Sequence, residues 1–353
     1  MNGTDSKKSV MLVILQILRE ETDYDHPLKQ KEIADILTGK YGMVVDRKTI
    51  RRHLDTLMEL GFDIQYKDCA IRRIKDPKTG ETIDSEIPNN YYIEREFTDA
   101  ELRLLIDGLL FSKHLPYSQC KELVEKLEGM SNKYFKARTN YIHCMPEDKT
   151  NNHQVFLNIE LLDEAIQNKK KVSFKYLEYH TDKKQHIKKR PDGTDRVYII
   201  NPYQMAAQEG KYYLICNYDK YDDISNYRLD RITDLRILDE PVKPFKNLKW
   251  SGGERILNIS DYMKKHVYMY SSPDSRVLFR IVKPMISDVI DMFGRDVEFL
   301  NETESTVDVR VYTNELSLLH FAKSFAPDVI ILEPARLREE MIADLKKSVE
   351  GYE

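Results

Sequence analysis

The chain has 353 residues, a formal net charge of −4, 41% hydrophobic residues and 32% charged residues. Its length suits two or three domains, and its mild acidity removes any global attraction to nucleic acid, leaving such a role to local basic faces. Cys69, Cys120, Cys144 and Cys216 lie far apart with no Cys-x-x-Cys pair, which excludes the common zinc frameworks.

The start, MNGTDSKKS, is polar, and the apolar run after it is broken by Gln16. It lacks the core and cleavage site of a secretory leader. No stretch approaches the roughly 18 apolar residues of a membrane helix. A cytoplasmic protein with no membrane partner is expected.

Three helices are predicted first. Val10–Glu20 repeats Val10, Ile14, Ile17 and Leu18; Gln30–Leu37 repeats Ile33, Ile36 and Leu37; Arg47–Leu60 repeats Ile50, Leu54, Leu57 and Met58. Asp46 suits the N-cap of the third helix and Gly61 its end. Strands are expected at Asp63–Lys67 and Tyr91–Glu94, with a turn-rich insert between them. Together these elements describe a winged helix-turn-helix over residues 1–95.

Arg47, Lys48, Arg51 and Arg52 project away from Ile50 and Leu54, with Thr49 and His53 beside them. A helix in the major groove needs cations for phosphates and guanidinium forks for guanine edges. A solvated charged face is the other reading; the helices before it and the scarcity of acids on the exposed face favour DNA. Arg72, Arg73, Lys75 and Lys78 make the first half of the insert basic, which suits backbone or minor-groove contact.

Residues 96–154 read as a helical connector. Thr98 and Glu101 form a capping box, Phe97 and Leu102 a staple, and Leu102, Leu105, Ile106, Leu109 and Leu110 an apolar face. A second helix from Ser118 turns Leu123, Leu127 and Met130 inward. Such a pair suits a bundle within the chain or a seam between two copies; operator symmetry favours a homodimer. Arg138–His153, with Pro146, reads as a linker.

Beyond it, Tyr198–Gln204, Lys211–Tyr218 and Asn226–Ile232 read as antiparallel strands, the first two joined at a turn on Gly210. Interleaved Tyr and Arg suit stacking on bases and pairing with phosphates; a Tyr-rich core with solvated charges fits the same spacing. Strand parity puts Leu214 and Leu229 inside, and Tyr213 and Arg228 on the opposite face. Arg231 shares parity with Leu229 unless the strand has ended by then. Lys183, Lys184, Lys188 and Lys189 lead to Arg190, a basic hairpin tip. Asp219, Asp222 and Asp223 have no fixed partner ligand, so a solvated turn is expected there, with no metal and no cofactor.

The wording of this stretch resembles the WYL domain of bacterial transcription regulators. Pro202 is followed by Tyr212-Tyr213-Leu214, with Tyr in place of the family's Trp, and then by Arg228-Leu229-Asp230-Arg231. Asn158–Tyr176 looks like the family's entry to its barrel, and DRKTIRRHLDTLMELGF like its helix-turn-helix. The resemblance implies an SH3-like, Sm-type barrel over 155–245. Its basic pocket would take a single-stranded nucleic acid or a nucleotide through Tyr213, Arg228 and Arg231, with Tyr176 and Arg190 nearby.

From Arg276 the pattern becomes β-α-β-β-α-β-α, a ferredoxin-like module within 246–353. The whole is therefore expected to be a multidomain α+β regulator acting on double-stranded operator DNA. The alternative, an enzyme processing nucleic acid or nucleotides on the basic barrel, finds no phosphate-binding Gly loop, nucleophile elbow or acidic metal cluster.

Overall fold

The computed structural model describes residues 7–75, 82–139, 149–248 and 251–353. The chain divides into two compact units, Met1–Phe111 with Tyr117–Glu147, and Ser112–Pro116 with Asp148–Glu353.

In the first unit, helices α1 (Lys7–Glu21), α2 (Gln30–Tyr41) and α3 (Arg47–Glu59) precede a hairpin of β1 (Ile64–Lys75) and β2 (Thr82–Ile93). The predicted apolar stripes meet in one core: Ile14, Ile17 and Leu18 against Ile33 and Leu37, and both against Ile50, Leu54 and Leu57. Tyr91 and Ile93 seal it from the hairpin. Leu28 exchanges backbone bonds of 2.8 Å with Tyr91, tying the start of α2 to β2.

The hairpin corrects one expectation. No turn-rich insert interrupts it up to Lys75, because pairing continues through Ile74↔Ile83 and Lys75↔Thr82. Pro88 sits opposite Cys69, which a two-stranded ribbon tolerates because its outer edge needs no donor. Lys78 lies outside the described residues.

Helices α4 (Asp99–Phe111), α5 (Tyr117–Glu128) and α6 (Lys133–Thr139) complete this unit. The capping box forms as expected: the Thr98 amide donates to Glu101 at 2.8 Å and the Glu101 amide to the Thr98 hydroxyl at 3.3 Å. The expected apolar face of α4 splits. Leu102 and Ile106 are buried with Phe135, whereas Leu104, Leu105 and Phe111 are exposed. Met130 is exposed too, since α5 has ended at Glu128. The expected linker begins inside α6, and its far end, Lys149, Thr150 and Asn152, is buried. Pro146 and Cys144 lie outside the described residues.

In the second unit, α7 (Val155–Gln167) leads into β3 (Lys170–Tyr179), β4 (Gln185–Ile187), β5 (Val197–Gln208), β6 (Lys211–Asn217), β7 (Ser225–Arg228) and β8 (Ile232–Pro241). The sheet runs β4-β3-β5-β6-β7, and β8 returns to pair with β3. Val172, Phe174, Ile200, Leu214, Leu229 and Ile232 pack beneath α7. A second cluster, with Ile215, Phe245, Tyr262 and Met269, covers the other side of β6.

The C-terminal α/β module contains α8 (Ile259–Lys265), β9 (Asp274–Val282), α9 (Ile286–Phe293), β10 (Glu298–Leu300), β11 (Thr306–Asn314), α10 (Glu315–Ser324), β12 (Val329–Glu333) and α11 (Ala335–Glu350). Its antiparallel sheet has the order β10-β11-β9-β12. Val277, Phe279 and Ile281 alternate with Arg276, Leu278 and Arg280, so the first set meets Val289, Leu318, Phe321 and Leu337 of the helices. No helix among the described residues is long and apolar enough to cross a membrane.

The shared core of the first three helices gives a direct test. Leu54 is fully buried, so Leu54→Ala should destabilise the first unit by about 2–5 kcal/mol. Leu104→Ala, on an exposed face, should stay within about 0.5 kcal/mol of the parent chain. Equilibrium denaturation in urea reads both; equal losses would contradict this packing.

Candidate functional site

Two groups of residues carry chemistry, one in each unit. The first lies on α3. Asp46 caps it, accepting from the Thr49 amide at 3.0 Å and the Thr49 hydroxyl at 2.7 Å. The cap fixes the phase of the helix, and burial of Ile50, Leu54 and Leu57 turns the opposite face outward. Arg47, Lys48 and Arg52 are exposed there, with no ion pair among the described residues. Arg51 is half-exposed and stands 3.8 Å from Asp55.

Two neighbours behave differently from the sequence expectation. The Thr49 hydroxyl is already engaged by Asp46. His53 has its Nε2 buried, and burial, helped by Arg52, pushes its pKa down, so it adds no positive charge at neutral pH. On the hairpin, Arg73 is exposed but stands 3.6 Å from Asp84, which offsets its charge. Arg72 pairs across the ribbon with Ser85, and its side chain lies outside the described residues.

The second group surrounds the end of β7. Tyr213 and Arg228 are register partners across β6 and β7, so the predicted parity is correct. The predicted exposure is not. Tyr213 is half-buried against the cluster containing Phe245 and Tyr262, because that segment covers the face expected to meet solvent. Burial accordingly pushes its phenol pKa up.

Arg228 does not project freely either. Its Nε donates to Asp230 Oδ1 at 3.0 Å and its terminal nitrogen to Oδ2 at 2.7 Å, a bidentate pair. The Asp230 side chain is 2% exposed and that of Arg228 21%. Burial opposes the guanidinium charge, but the Asp230 carboxylate more than offsets it, and the Arg228 pKa is raised. The strand has ended here. Residues Leu229–Arg231 form a single 3₁₀ turn, which buries Leu229 and re-aims Arg231.

Arg231 lies over the Tyr179 ring at 5.8 Å, and its Nε is buried without a hydrogen-bond partner. Tyr176 is half-buried, and its hydroxyl accepts from the Arg228 amide at 3.2 Å. It therefore supports the Arg228 backbone from inside, and burial pushes its pKa up. Arg190 is exposed at the tip after β4, where its amide donates to the Thr194 carbonyl at 2.8 Å.

Beneath the arginines lies an aromatic cluster, the Tyr-rich core that the sequence offered as its alternative reading. Phe174 stacks on Tyr198 at 5.4 Å, and Tyr227 meets Tyr176 edge-on at 5.0 Å. Arg196 lies over Tyr198 at 4.8 Å. Tyr218 and Tyr227 share a hydroxyl–hydroxyl bond, and burial pushes the Tyr218 phenol up to about 12. Alternating Phe174 and Tyr176 gave the signal for one side of this cluster. Asp230 was missed, although an acid two residues after Arg228 at a strand end is a ready partner.

The acids after β6 have structural partners. Asp219 accepts from Lys171 at 2.6 Å and Asn201 at 2.9 Å, and Asp222 from Lys243 at 2.8 Å. Among the described residues Cys69, Cys120 and Cys216 form no disulfide, and the Cys120 and Cys216 thiols donate to the Leu109 and Ser225 carbonyls, each at 3.3 Å.

Residues 158–237, from α7 through most of β8, match the model of the WYL domain. The chain thus contains a WYL domain over these residues. No curated protein matches it. Among solved structures, Proteasome accessory factor B/C (PafBC) of Arthrobacter aurescens is 15% identical with a TM-score of 0.28, covering 98% of this chain and 49% of that one. The chain thus spans about half the length of that protein. A CRISPR Cas-related protein is 13% identical with a TM-score of 0.36, covering 99% of this chain and 81% of that one.

The buried pair sets a measurable asymmetry. Arg228→Ala leaves a buried carboxylate without its partner and should destabilise by about 3–5 kcal/mol. Adding Asp230→Ala should recover part of that loss. A double-mutant cycle by chemical denaturation measures it; strictly additive losses would mean that the two side chains do not act as a pair.

Proposed function

We propose that this protein is a ligand-responsive, sequence-specific DNA-binding transcription regulator. Residues 1–95 act as its winged helix-turn-helix, 155–245 as a barrel-shaped sensor, and 246–353 as a ferredoxin-like extension. The observation that carries the reading is the outer face of α3, where Arg47, Lys48 and Arg52 stand exposed opposite a fully buried apolar stripe. Exposed cations on a helix anchored this way suit a major groove: phosphates set the register and an Arg fork reads guanine.

The sensor reading rests on the WYL match and on the residues around β7. Arg231, three residues after Arg228, lies over the Tyr179 ring and holds a buried guanidinium nitrogen with no hydrogen-bond partner. A guanidinium fork takes phosphate, and aromatic rings stack bases. The effector class is therefore a single-stranded nucleic acid or a nucleotide. Tyr213 and Tyr176 shape the site from within rather than offering open stacking faces.

Arg47→Ala with Arg52→Ala should weaken binding to the operator by roughly 1–3 kcal/mol for a lost base contact, and should flatten the salt dependence. Thermal stability should stay near that of the parent chain. Footprinting upstream of the protein's own coding region, followed by anisotropy titration at several salt concentrations, provides the measurement. Unchanged affinity and slope would sink the α3 reading.

The regulator acts as a homodimer, with half-sites about one helical turn or a multiple apart. Leu104 and Phe111 are 74% and 79% exposed and lie two turns apart on one face of α4, a seam suited to a second copy. Phe111→Glu should yield a monomer by light scattering. A parent chain that is monomeric at micromolar concentration would overturn this assignment.

A further inference from the structure

The chain passes between its two units at three places, after Phe111, after Pro116 and after Glu147. The segment that follows the third crossing is held by residues around the Arg228–Asp230 pair. Asn152 donates through one amide nitrogen to the Asp230 carbonyl at 3.1 Å and the Ile232 carbonyl at 2.7 Å. Thr150 reaches the same Asp230 carbonyl at 3.5 Å, and Asn158 the Ile232 carbonyl at 2.8 Å.

The other segment is tied in a similar way. The Lys113 amide donates to the Gly210 carbonyl at 2.7 Å, at the turn between β5 and β6, and His114 packs over Tyr212 at 5.6 Å. Lys149 joins the two segments by donating to the Ser112 carbonyl. Lys149, Thr150 and Asn152 are all buried, an unusual environment for three polar side chains leading into a helix.

We propose that the Asp230 carboxylate occupies the Arg228 fork as an internal stand-in for the effector's anion, and that its main chain latches the crossing segments, so that effector binding releases them. This rests on the effector reading of the same site. Asp230 carries both ends of the device: its side chain holds Arg228, and its carbonyl holds Asn152. Within one 3₁₀ turn the two cannot move independently. A phosphate that takes the Arg228 fork frees the carboxylate, the turn loses the clamp that sets its orientation, and the bonds to Asn152 and Thr150 loosen.

By reciprocity, anything that loosens the latch also improves effector binding, by a factor of about 5–150 for a typical coupling. The device acts on the crossing segments alone. Amides of β5 and β6 remain protected, because Leu214, Ile215 and Cys216 are buried from both sides.

Hydrogen–deuterium exchange on the full chain tests it, comparing the parent, Asp230→Asn, and the double variant Arg228→Gln with Asp230→Asn. The double variant leaves no unpaired buried charge and serves if the single one does not fold. Exchange in 112–116 and 149–154 should rise on the order of tenfold in the variants while β5 and β6 stay as in the parent. Unchanged exchange in those segments, or a rise spread equally over β5 and β6, overturns the latch.

A second arm adds a short oligothymidylate. Bound by the parent in calorimetry, it should raise exchange in the same segments, and it should bind Asp230→Asn more tightly. Binding that leaves both segments protected overturns the latch while the effector site stands. If the oligothymidylate binds none of the chains, the nucleic-acid effector reading fails, and faster exchange in Asp230→Asn still supports the latch.

Discussion

The second unit of this protein depends on a carboxylate that has been taken out of water. Asp230 is almost wholly buried, and a buried carboxylate is tolerated only when its charge and lone pairs are met. Arg228 meets both oxygens, while the Asp230 carbonyl meets Asn152 and Thr150. To make those bonds the chain has to leave the strand after Arg228 and turn once before β8 begins. The turn then lets β8 return beside β3, which is how the sheet comes to have β3 flanked by β4, β5 and β8.

The same constraint changes what the arginines can do. A fork already filled by a carboxylate meets an incoming anion as a competitor. Arg231, displaced from strand geometry by the turn, keeps a nitrogen unpartnered over Tyr179. Two arginines three residues apart are thus chemically unlike, one internally neutralised and the other not.

Much of this architecture was legible in the residues. The first three helices and their core follow from apolar spacing, and Asp46 and the Thr98–Glu101 box mark where α3 and α4 begin. The strand and helix order after Arg276 follows from pattern alone. Parity placed Tyr213 beside Arg228 correctly but misjudged their surroundings, because parity says nothing of which distant segment covers a face; here residues around Phe245 and Tyr262 do so. Residues 71–90 read as a turn-rich insert because Pro88, Asn89 and Asn90 are poor strand formers; cross-strand pairing overrides that preference. The Asp230 pair escaped notice because its depth depends on packing by residues 149–158, far away in sequence.

The three crossings have a bearing on how the protein can be divided. A cut before Asp148 would yield a piece that still contains Ser112–Pro116, yet lacks Gly210 and Tyr212, against which Lys113 and His114 rest. The complementary piece would keep the sheet but lose the strand of chain docked at its β5–β6 turn. Neither half is a self-contained module in the way beads on a string are. Exchanging the first unit of one such protein for that of another would require carrying over, or replacing, those five residues, which lie in the middle of the donor unit's own sequence.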